Sequence, residues 1–233
     1  MAAEKKGLAL ASLILGIAGI PTAGVCGVGA ITGIILGILA LNKIKASPRE
    51  FGGHGMAVGG IVTNIISLVM VPIIGIIAAI AIPSLLRARV SANEAQTIGD
   101  IRTVISGEAA YQSSNGGFYG SLECLATPVN CLPNYPAGAP QFLDAPLAAA
   151  TEKSGYRRTF HPGLPAEVDP SSGVQVAPSS LQSYAYTAVP ITPNTTGVRG
   201  FCGDSSGLIC QTPDGSEPGV SGGQCDASCT PLR

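Results

Sequence analysis

The chain has 233 residues, of which 46% are hydrophobic and only 12% are charged, and its formal net charge is −1. Residues 1–83 carry five basic and two acidic side chains, whereas residues 84–233 carry eight basic and twelve acidic ones. The second part has a single basic doublet, Arg157-Arg158. This excludes a nucleic-acid-binding surface, because binding to a phosphate backbone needs clustered Lys or Arg side chains.

The first predicted element is an apolar segment that runs from Gly7 to Leu41 and has no ionisable side chain except Cys26. It is far longer than the apolar core of a cleaved signal peptide, which spans about 7 to 15 residues. We therefore expect the segment to stay attached to the chain. Cys26 is interpreted as a small apolar residue in lipid rather than as a reactive thiol.

Basic residues flank this segment on both sides, as Lys5-Lys6 and between Lys43 and Arg49. The positive-inside rule keeps both flanks in the cytoplasm, which predicts a hairpin that turns near residues 21–29. Each arm then has about 15 residues, fewer than the roughly 20 that cross a bilayer. A single kinked span with the N-terminus outside is therefore the alternative.

Small residues recur at four-residue spacing inside the segment. Gly29, Gly33 and Gly37 form one ridge, to which Ser12, Gly16 and Gly19 add shorter ones. Ridges of this kind let transmembrane helices approach closely, so Gly29, Gly33 and Gly37 are candidates for membrane helix packing. The alternative is that glycine is simply tolerated in lipid.

The sequence Gly-Ile-Leu-Ala-Leu-Asn-Lys-Ile-Lys at residues 37–45, followed by Gly53 to Ala57, resembles a small bacterial membrane domain of unknown function. The resemblance implies membrane insertion and carries no activity with it. We assign residues 1–55 to a glycine-rich membrane module with a basic cytoplasmic loop.

A second apolar segment, from Met56 to Ile82, contains no charged residue and is long enough to span a bilayer. Pro72 and Pro83 would bend this helix without breaking it, because neighbouring helices can re-satisfy the freed backbone groups. Beyond Pro83 the apolar residues keep the three- and four-residue spacing of one helix face. The stripe comprises Leu86, Val90, Ile98, Ile101 and Ile105, and the other faces are expected to carry Arg87, Asn93, Glu94, Asp100 and Arg102. The pattern predicts one long helix, half membrane stem and half amphipathic, that needs a partner sheet.

Residues 62–119, from this stem to the polar and glycine-rich exit at Tyr111 to Tyr119, resemble the N-terminal half of type IV pilins and type II secretion pseudopilins. The resemblance implies an α+β fold with a long helix over 56–117, a transmembrane stem at 56–83 and an amphipathic half at 84–113. It also implies a structural subunit that packs its stem against like subunits on a pilus or secretion assembly platform. The candidates for stem packing are Ile66, Gly75, Ile77, Ile80 and Pro83. The stem is expected to loosen at Gly75 and Pro83 when it packs against like stems.

The start of the helix departs from the pilin pattern. Pilins begin it with a cleaved basic leader that ends in glycine, followed by an aromatic residue and, four positions later, a glutamate. Counted back from Pro83, the glutamate position falls on Ile66 and the first mature residue on Val62, which follows Gly60-Ile61. Ile66 cannot supply the carboxylate that pairs with the amine of a neighbouring subunit. The alternative is an uncleaved polytopic membrane protein whose pilin-like exterior domain binds a ligand or an envelope partner.

Six cysteines lie in the second part of the chain: Cys124, Cys131, Cys202, Cys210, Cys225 and Cys229. An even number in a small, loop-rich region favours disulfides and an oxidising compartment. Zinc is the rival interpretation, but the Cys-x2-Cys pairs of zinc sites are absent. Sequence leaves fifteen connectivities open. Close spacing suggests bonds within the pairs 124–131, 202–210 and 225–229.

The strand signals that follow the helix are short and antiparallel in pattern. The predicted strands are Tyr156 to Phe160, Tyr184 to Val189, Val198 to Cys202 and Leu208 to Gln211. A hairpin turn is expected at Asp204 to Gly207, with Gly207 at positive φ and Cys202 opposite Cys210. Segments rich in Pro and Gly at 126–146, 161–180 and 212–224 are interpreted as loops, and the tail after Gln211 as partly disordered.

One enzyme-like motif occurs, at Gly219 to Gly223, which fits the Gly-x-Ser-x-Gly pattern of serine hydrolases. It lacks the required strand, helix and later histidine around Ser221, so we assign no catalytic residue and no cofactor. Calcium on Asp204, Asp214 and Asp226 is a weaker alternative to ordinary turn roles, and no metal site is assigned.

These observations lead to one expectation for the whole chain. We expect a structural subunit of a bacterial type IV pilus or type II secretion apparatus rather than an enzyme. It would lie in the cytoplasmic membrane, with residues 118–233 forming a small β domain in the periplasm or at the cell surface. Its expected partners are the lipid bilayer and like subunits.

Overall fold

The computed structural model describes residues 5–19, 27–48, 50–167 and 175–232. The membrane hairpin turn predicted near residues 21–29 lies mostly outside these ranges, and Cys26 and Arg49 lie wholly outside them. The chain divides into two compact units, Met1–Ser84 and Leu85–Arg233. Helix α3, His54–Ser114, contributes to both units and is unbroken, although Pro72 and Pro83 lie inside it. The loosening predicted at Gly75 and Pro83 concerns stems packed against one another, so it stays a prediction.

The first unit consists of helix α1 (Gly7–Gly19), helix α2 (Gly27–Ala46) and the first part of α3. Ala9 and Ala40 pack with Ala57 of α3 at one end of the unit, while Ser12 donates a hydrogen bond of 2.8 Å to the carbonyl of Gly33. Residues later in α1 thus contact residues earlier in α2. The two helices are antiparallel, as in the hairpin interpretation.

Within the described ranges, two helices are long and apolar enough to cross a membrane, at Val28–Ala46 and within His54–Ser114. The apolar part of α1, Gly7–Ile17, is shorter. These helices indicate that the protein associates with a membrane.

The second unit is built on an antiparallel sheet. Its strands are β1 (Glu152–Lys153), β2 (Tyr156–Pro162), β3 (Tyr184–Pro190), β4 (Gly200–Asp204), β5 (Ile209–Thr212) and β8 (Thr230–Pro231), in the order β1-β2-β3-β4-β5-β8. Strands β6 (Val220–Ser221) and β7 (Gln224–Cys225) form a separate two-stranded hairpin. With the long apolar helix and the disulfides described below, the chain has an α+β fold.

Both faces of the sheet are covered. Alternate residues on one face, among them Tyr184, Tyr186 and Phe201, form the main core with Ile101 and Val104 of α3. The opposite face carries a second small core of Ala185, Cys202, Cys210 and Cys229, against which Val220 and Cys225 pack. This double coverage explains why Tyr184 to Ala188 are all buried.

The segment between the long helix and the sheet contains short helices that were not predicted, mostly at the two ends of the loop expected over residues 126–146. Residues after the long helix form α4 (Leu122–Ala126), a short 3₁₀ turn at Pro128–Asn130 and α5 (Ala145–Ala148). Leu125, Leu143 and Leu147 from this region are buried around Tyr111 of α3. The tail after Gln211 was expected to be partly disordered, but it forms β6, β7 and β8 within the described residues.

All six candidate cysteines form disulfides, and two of the three predicted pairings are wrong. Cys124 pairs with Cys131 as its spacing suggested, but Cys202 pairs with Cys225 and Cys210 with Cys229. Cys202 and Cys210 do lie opposite each other on β4 and β5. Directly opposed residues hold their Cβ atoms about 4.5–5.5 Å apart, wider than the mean of about 3.8 Å in a disulfide. Cys202 and Cys210 each bond instead to a cysteine of the C-terminal segment, Cys225 and Cys229, which packs on the sheet.

Candidate functional site

The first unit is held together by an interface of small residues, which we call the anchor interface. Each helix buries one stripe at helical spacing. The stripes are Ala9, Ser12 and Gly16 on α1, then Ala30, Gly33, Gly37 and Ala40 on α2, then Ala57, Gly60, Asn64 and Ser67 on α3. Small side chains let helix backbones approach closely and gain van der Waals contact, which is the main source of helix association in lipid.

Glycines in the anchor interface have no room for a side chain. A Cβ atom on Gly60 would lie 2.9 Å from the backbone N of Leu13, and one on Gly16 would lie 2.1 Å from the hydroxyl oxygen of Thr63. On α2, a Cβ on Gly33 would lie 2.4 Å from the amide oxygen of Asn64, and one on Gly37 would lie 2.5 Å from Ile61. The predicted glycines 33 and 37 therefore face α3. Gly29 is half-buried, and its carbonyl accepts a hydrogen bond from Thr32.

Asn64 is the polar centre of the anchor interface and is fully buried. Its amide donates to the carbonyls of Ser12 at 3.0 Å and of Gly60 at 2.6 Å. Ser67 donates to the carbonyls of Thr63 and Gly16. These residues were not predicted, although the small or polar residues at 57, 60, 64 and 67 form a stripe with three- and four-residue spacing in an apolar run. The amide oxygen of Asn64 has no hydrogen-bond partner among the described residues. The bonds donated by Asn64 to Ser12 and by Ser67 to Gly16 link α3 to α1.

The predicted stem-packing residues are not part of the anchor interface. Ile66, Ile77, Ile80 and Pro83 are exposed on α3, and a Cβ on Gly75 would meet nothing within 4 Å. From Val69 to Leu86 the large apolar side chains of α3 are exposed, except that of Val71, which is half-buried. Lipid or other apolar helices would have to cover this surface.

In the second unit, two acidic residues of α3 form hydrogen bonds and ion pairs with residues in or next to the sheet. Glu94 accepts hydrogen bonds from the backbone amides of Val198 and Arg199 and from the Arg199 guanidinium. Asp100 accepts from Lys153, at 3.0 Å, and from Arg158. Both carboxylates are buried, although they were expected on helix faces other than the apolar stripe. Because the cations that pair with them lie about 50 to 105 positions later, the helix pattern alone did not indicate these contacts.

Hydrogen bonding keeps these two carboxyls ionised. Burial alone would raise the pKa of Glu94, but the Arg199 side chain and the two backbone amides hold that pKa below its ordinary value. Burial likewise opposes ionisation of Asp100, while Arg158 and Lys153 together lower its pKa. These ion pairs fix α3 to the β2 and β4 side of the second unit.

Glu108 is different because it is buried without a cation. Its only hydrogen bond among the described residues comes from the backbone amide of Gly120, at 3.1 Å, and its other oxygen has no partner there. Burial raises the pKa of Glu108 to about 8. The carboxyl is therefore largely protonated at neutral pH, which makes it a pH-sensitive point in the core.

A recess of about 360 Å³ opens on the second unit, between α3 and the segment before β4. Leu86, Val90 and Val198 supply apolar lining, and Arg87 and Arg199 supply charge. It has the size and mixed character of a small binding pocket.

The residues considered for catalysis or metal binding have structural roles. Ser221 ends β6, and Gly222 and Gly223 both have positive φ in the tight turn to β7, as a two-residue hairpin loop requires. Asp204 accepts hydrogen bonds from Ser206 and from the amide of Cys225. The sulfurs of Cys202, Cys210 and Cys225 lie within 4.8 Å of one another, but each is bonded in a disulfide.

A family model described as a domain of unknown function, DUF4190, matches residues 8–74. The match covers α1, α2 and the start of α3, including every residue of the anchor interface. No curated protein and no solved structure matches the chain. The matched family carries no activity to the chain, and the second unit lies outside the match.

Proposed function

We propose that the chain is a permanently anchored structural protein of the bacterial cell envelope. Its α1–α2 hairpin and the apolar part of α3 lie in the cytoplasmic membrane, and the disulfide-bonded unit is carried outside. The hairpin stays attached, and the exterior unit binds an envelope partner or ligand. The observation that carries this proposal is the anchor interface, in which α1 and α2 pack on the first turns of α3.

The position of the anchor interface argues against removal of the hairpin. Cleavage of the pilin kind would fall at Gly60-Ile61 or just before Val62. Gly60 lies inside α3 with the backbone of α1 against it, and Asn64 hydrogen-bonds α1 one turn later. A protease needs an accessible, extended segment, so cleavage here would require three helices to separate first.

Two features support an exterior location for the second unit. It contains three disulfides. Disulfides persist in oxidising compartments and are rare in the cytosol. In the sequence, the basic residues Lys5, Lys43 and Lys45 come before the apolar part of α3, and the second unit comes after it. The positive-inside rule then keeps the lysines in the cytoplasm and the second unit outside.

Reporter fusions test this arrangement. Alkaline phosphatase, which is active only outside the cytoplasm, is fused after Leu232, and a green fluorescent protein that fluoresces only inside is fused before Lys5. The proposal predicts an active phosphatase and a fluorescent N-terminal fusion. An inactive phosphatase, or a dark but full-length N-terminal fusion, would contradict it.

Assembly into a filament is the second candidate function, and the exposed apolar surface of α3 favours it. Ile77 is 59% exposed and Ile80 is 70% exposed, and like stems could bury them, as the resemblance to pilins implies. Ile77→Cys should then form a disulfide-linked dimer in oxidised membranes, and Ile77→Arg should abolish association while the exterior unit stays folded. Thr103→Arg adds the same charge to an exposed site of α3 in the second unit and serves as the control. A monomeric Ile77→Cys chain would remove this candidate.

A further inference from the structure

A cavity of about 250 Å³ lies at the end of the first unit where α1 begins. Its apolar part is lined by Leu8, Ala9, Ala40 and Ile44. Its other lining residues include Lys5, Lys43 and Phe51. The lining is thus part apolar and part basic, and the cavity lies between helices that we place in the membrane.

The two lysines are available to an anion. Both ammonium groups lie over the ring of Phe51, at 5.9 Å for Lys5 and 5.7 Å for Lys43. Among the described residues, no carboxylate lies within ion-pair distance of either one. Stacking on an aromatic face positions a cation without neutralising its charge.

The start of α1 adds to the positive potential of the cavity. Gly7 and Leu8 belong to the lining, and the first helical hydrogen bond of α1 is donated by Leu10 to Lys6. The backbone N–H groups before Leu10 therefore have no partner within the helix. Together with the helix dipole, they favour a negative group beside the two lysines.

We propose that this cavity binds an anionic phospholipid. The phosphate lies between Lys5 and Lys43, and the start of one acyl chain lies along Leu8 and Ile44. A free phosphate ion would match the charge but leave the apolar lining without a ligand. A zwitterionic lipid would match the apolar lining but bring its own cation to the lysines. Basic pockets between membrane helices bind anionic headgroups for these reasons.

The test uses the full chain in a neutral detergent, with retained lipid counted by native mass spectrometry. The probes are dihexanoyl phosphatidylglycerol, dihexanoyl phosphatidylcholine and glycerol phosphate. The variants are Lys43→Gln and Lys45→Gln, which remove one charge each from the same end of α2, although only Lys43 lines the cavity. Lys43→Arg keeps the charge, and a thermal unfolding curve for each variant shows whether the helices remain folded.

We expect one phosphatidylglycerol per chain, retained in preference to phosphatidylcholine, with no retention of glycerol phosphate. Lys43→Gln should weaken phosphatidylglycerol binding about fivefold, the typical effect of one lysine near an anionic membrane surface. Lys45→Gln and Lys43→Arg should stay within twofold of the parent chain. Equal retention of the two lipids, equal effects of Lys43→Gln and Lys45→Gln, or binding of glycerol phosphate as tight as that of the lipid would each overturn the proposal.

Discussion

Glu108 shows most clearly how one residue links burial to pH. Its carboxyl is fully buried and has its pKa raised from 4.5 to about 8, so the folded state holds a proton that the unfolded state releases. The resulting stability is complete below pH 4.5 and is lost as pH rises toward 8. Glu94 and Asp100 act in the opposite direction, because their lowered pKa values make stability fall as pH drops below about 4. Stability of the second unit should therefore be highest between about pH 4 and pH 4.5.

Glu108→Gln should remove the loss of stability on the alkaline side of this maximum. A pKa shift of this size corresponds to on the order of 4 kcal/mol of free energy of unfolding between pH 5 and pH 9. Denaturant unfolding of the full chain, followed by tyrosine fluorescence across this pH range, measures the effect. Glu123→Gln changes an exposed carboxyl on α4 and should leave the profile unchanged. A Glu108→Gln profile that still falls as steeply as that of the parent would contradict this account.

At the residue scale, sequence identified the apolar contacts better than the polar ones. Ile101 is buried as the helical stripe predicted, and Ile98 and Ile105 pack beside it. Glu94 and Asp100 were expected outside the stripe, because a carboxylate is rarely buried unless it is paired. Their pairing depends on strands that follow much later in the chain, so the local pattern contained no sign of it.

At the scale of helices, close approach is the property that the first unit depends on. Gly60→Ala should destabilise the packing of α1 on α3 by about 1–3 kcal/mol, because the added Cβ meets the backbone of Leu13 at 2.9 Å. Gly59→Ala is the matched control, since its Cβ would lie 3.8 Å from the Leu13 side chain, an ordinary contact. The free energy of unfolding in mixed micelles distinguishes the two. Equal stability of both variants would mean that the helices are not packed this closely.

A second pair of glycines tests the contact between α3 and the loop region of the second unit. A Cβ on Gly107 would lie 2.8 Å from the carbonyl oxygen of Phe142, whereas a Cβ on Gly99 would meet nothing within 4 Å. Gly107→Ala should therefore cost about 1–3 kcal/mol of unfolding free energy. Gly99→Ala should be neutral or stabilise the helix by up to about 1 kcal/mol. Thermal unfolding that ranks the two variants in the reverse order would refute this contact.

The elements themselves were largely predictable. The long helix, the four main strands and the turn at Gly207 follow from apolar spacing and turn chemistry, and Gly207 has the expected positive φ of 80°. Short helices α4 and α5 were missed because elements of five and four residues are too short to show a helical period. The disulfide pairs 202–225 and 210–229 were missed because cysteines that are close in the sequence were expected to pair. In the fold, the Cβ atoms near enough for a disulfide belong to cysteines farther apart in the sequence.

At the scale of the whole molecule, the anchor interface favours a permanently anchored protein over a filament subunit. The sequence suggested a stem that assembles with like stems, and the exposed residues of α3 remain consistent with that. However, α1 and α2 pack on α3 across the position at which a pilin would be cut. The anchor interface consists of small residues that hydropathy alone cannot distinguish from an ordinary apolar span, so its significance emerged only from the packing.

The most direct test is the mass of the intact chain. The full sequence is expressed in a bacterium that contains a pilin signal peptidase, and the protein is isolated from its membranes for intact-mass spectrometry and N-terminal sequencing. The account predicts a chain that retains residues 5–60, with α1 and α2 still attached to α3. A mature protein that begins at Ile61 or Val62 would contradict it.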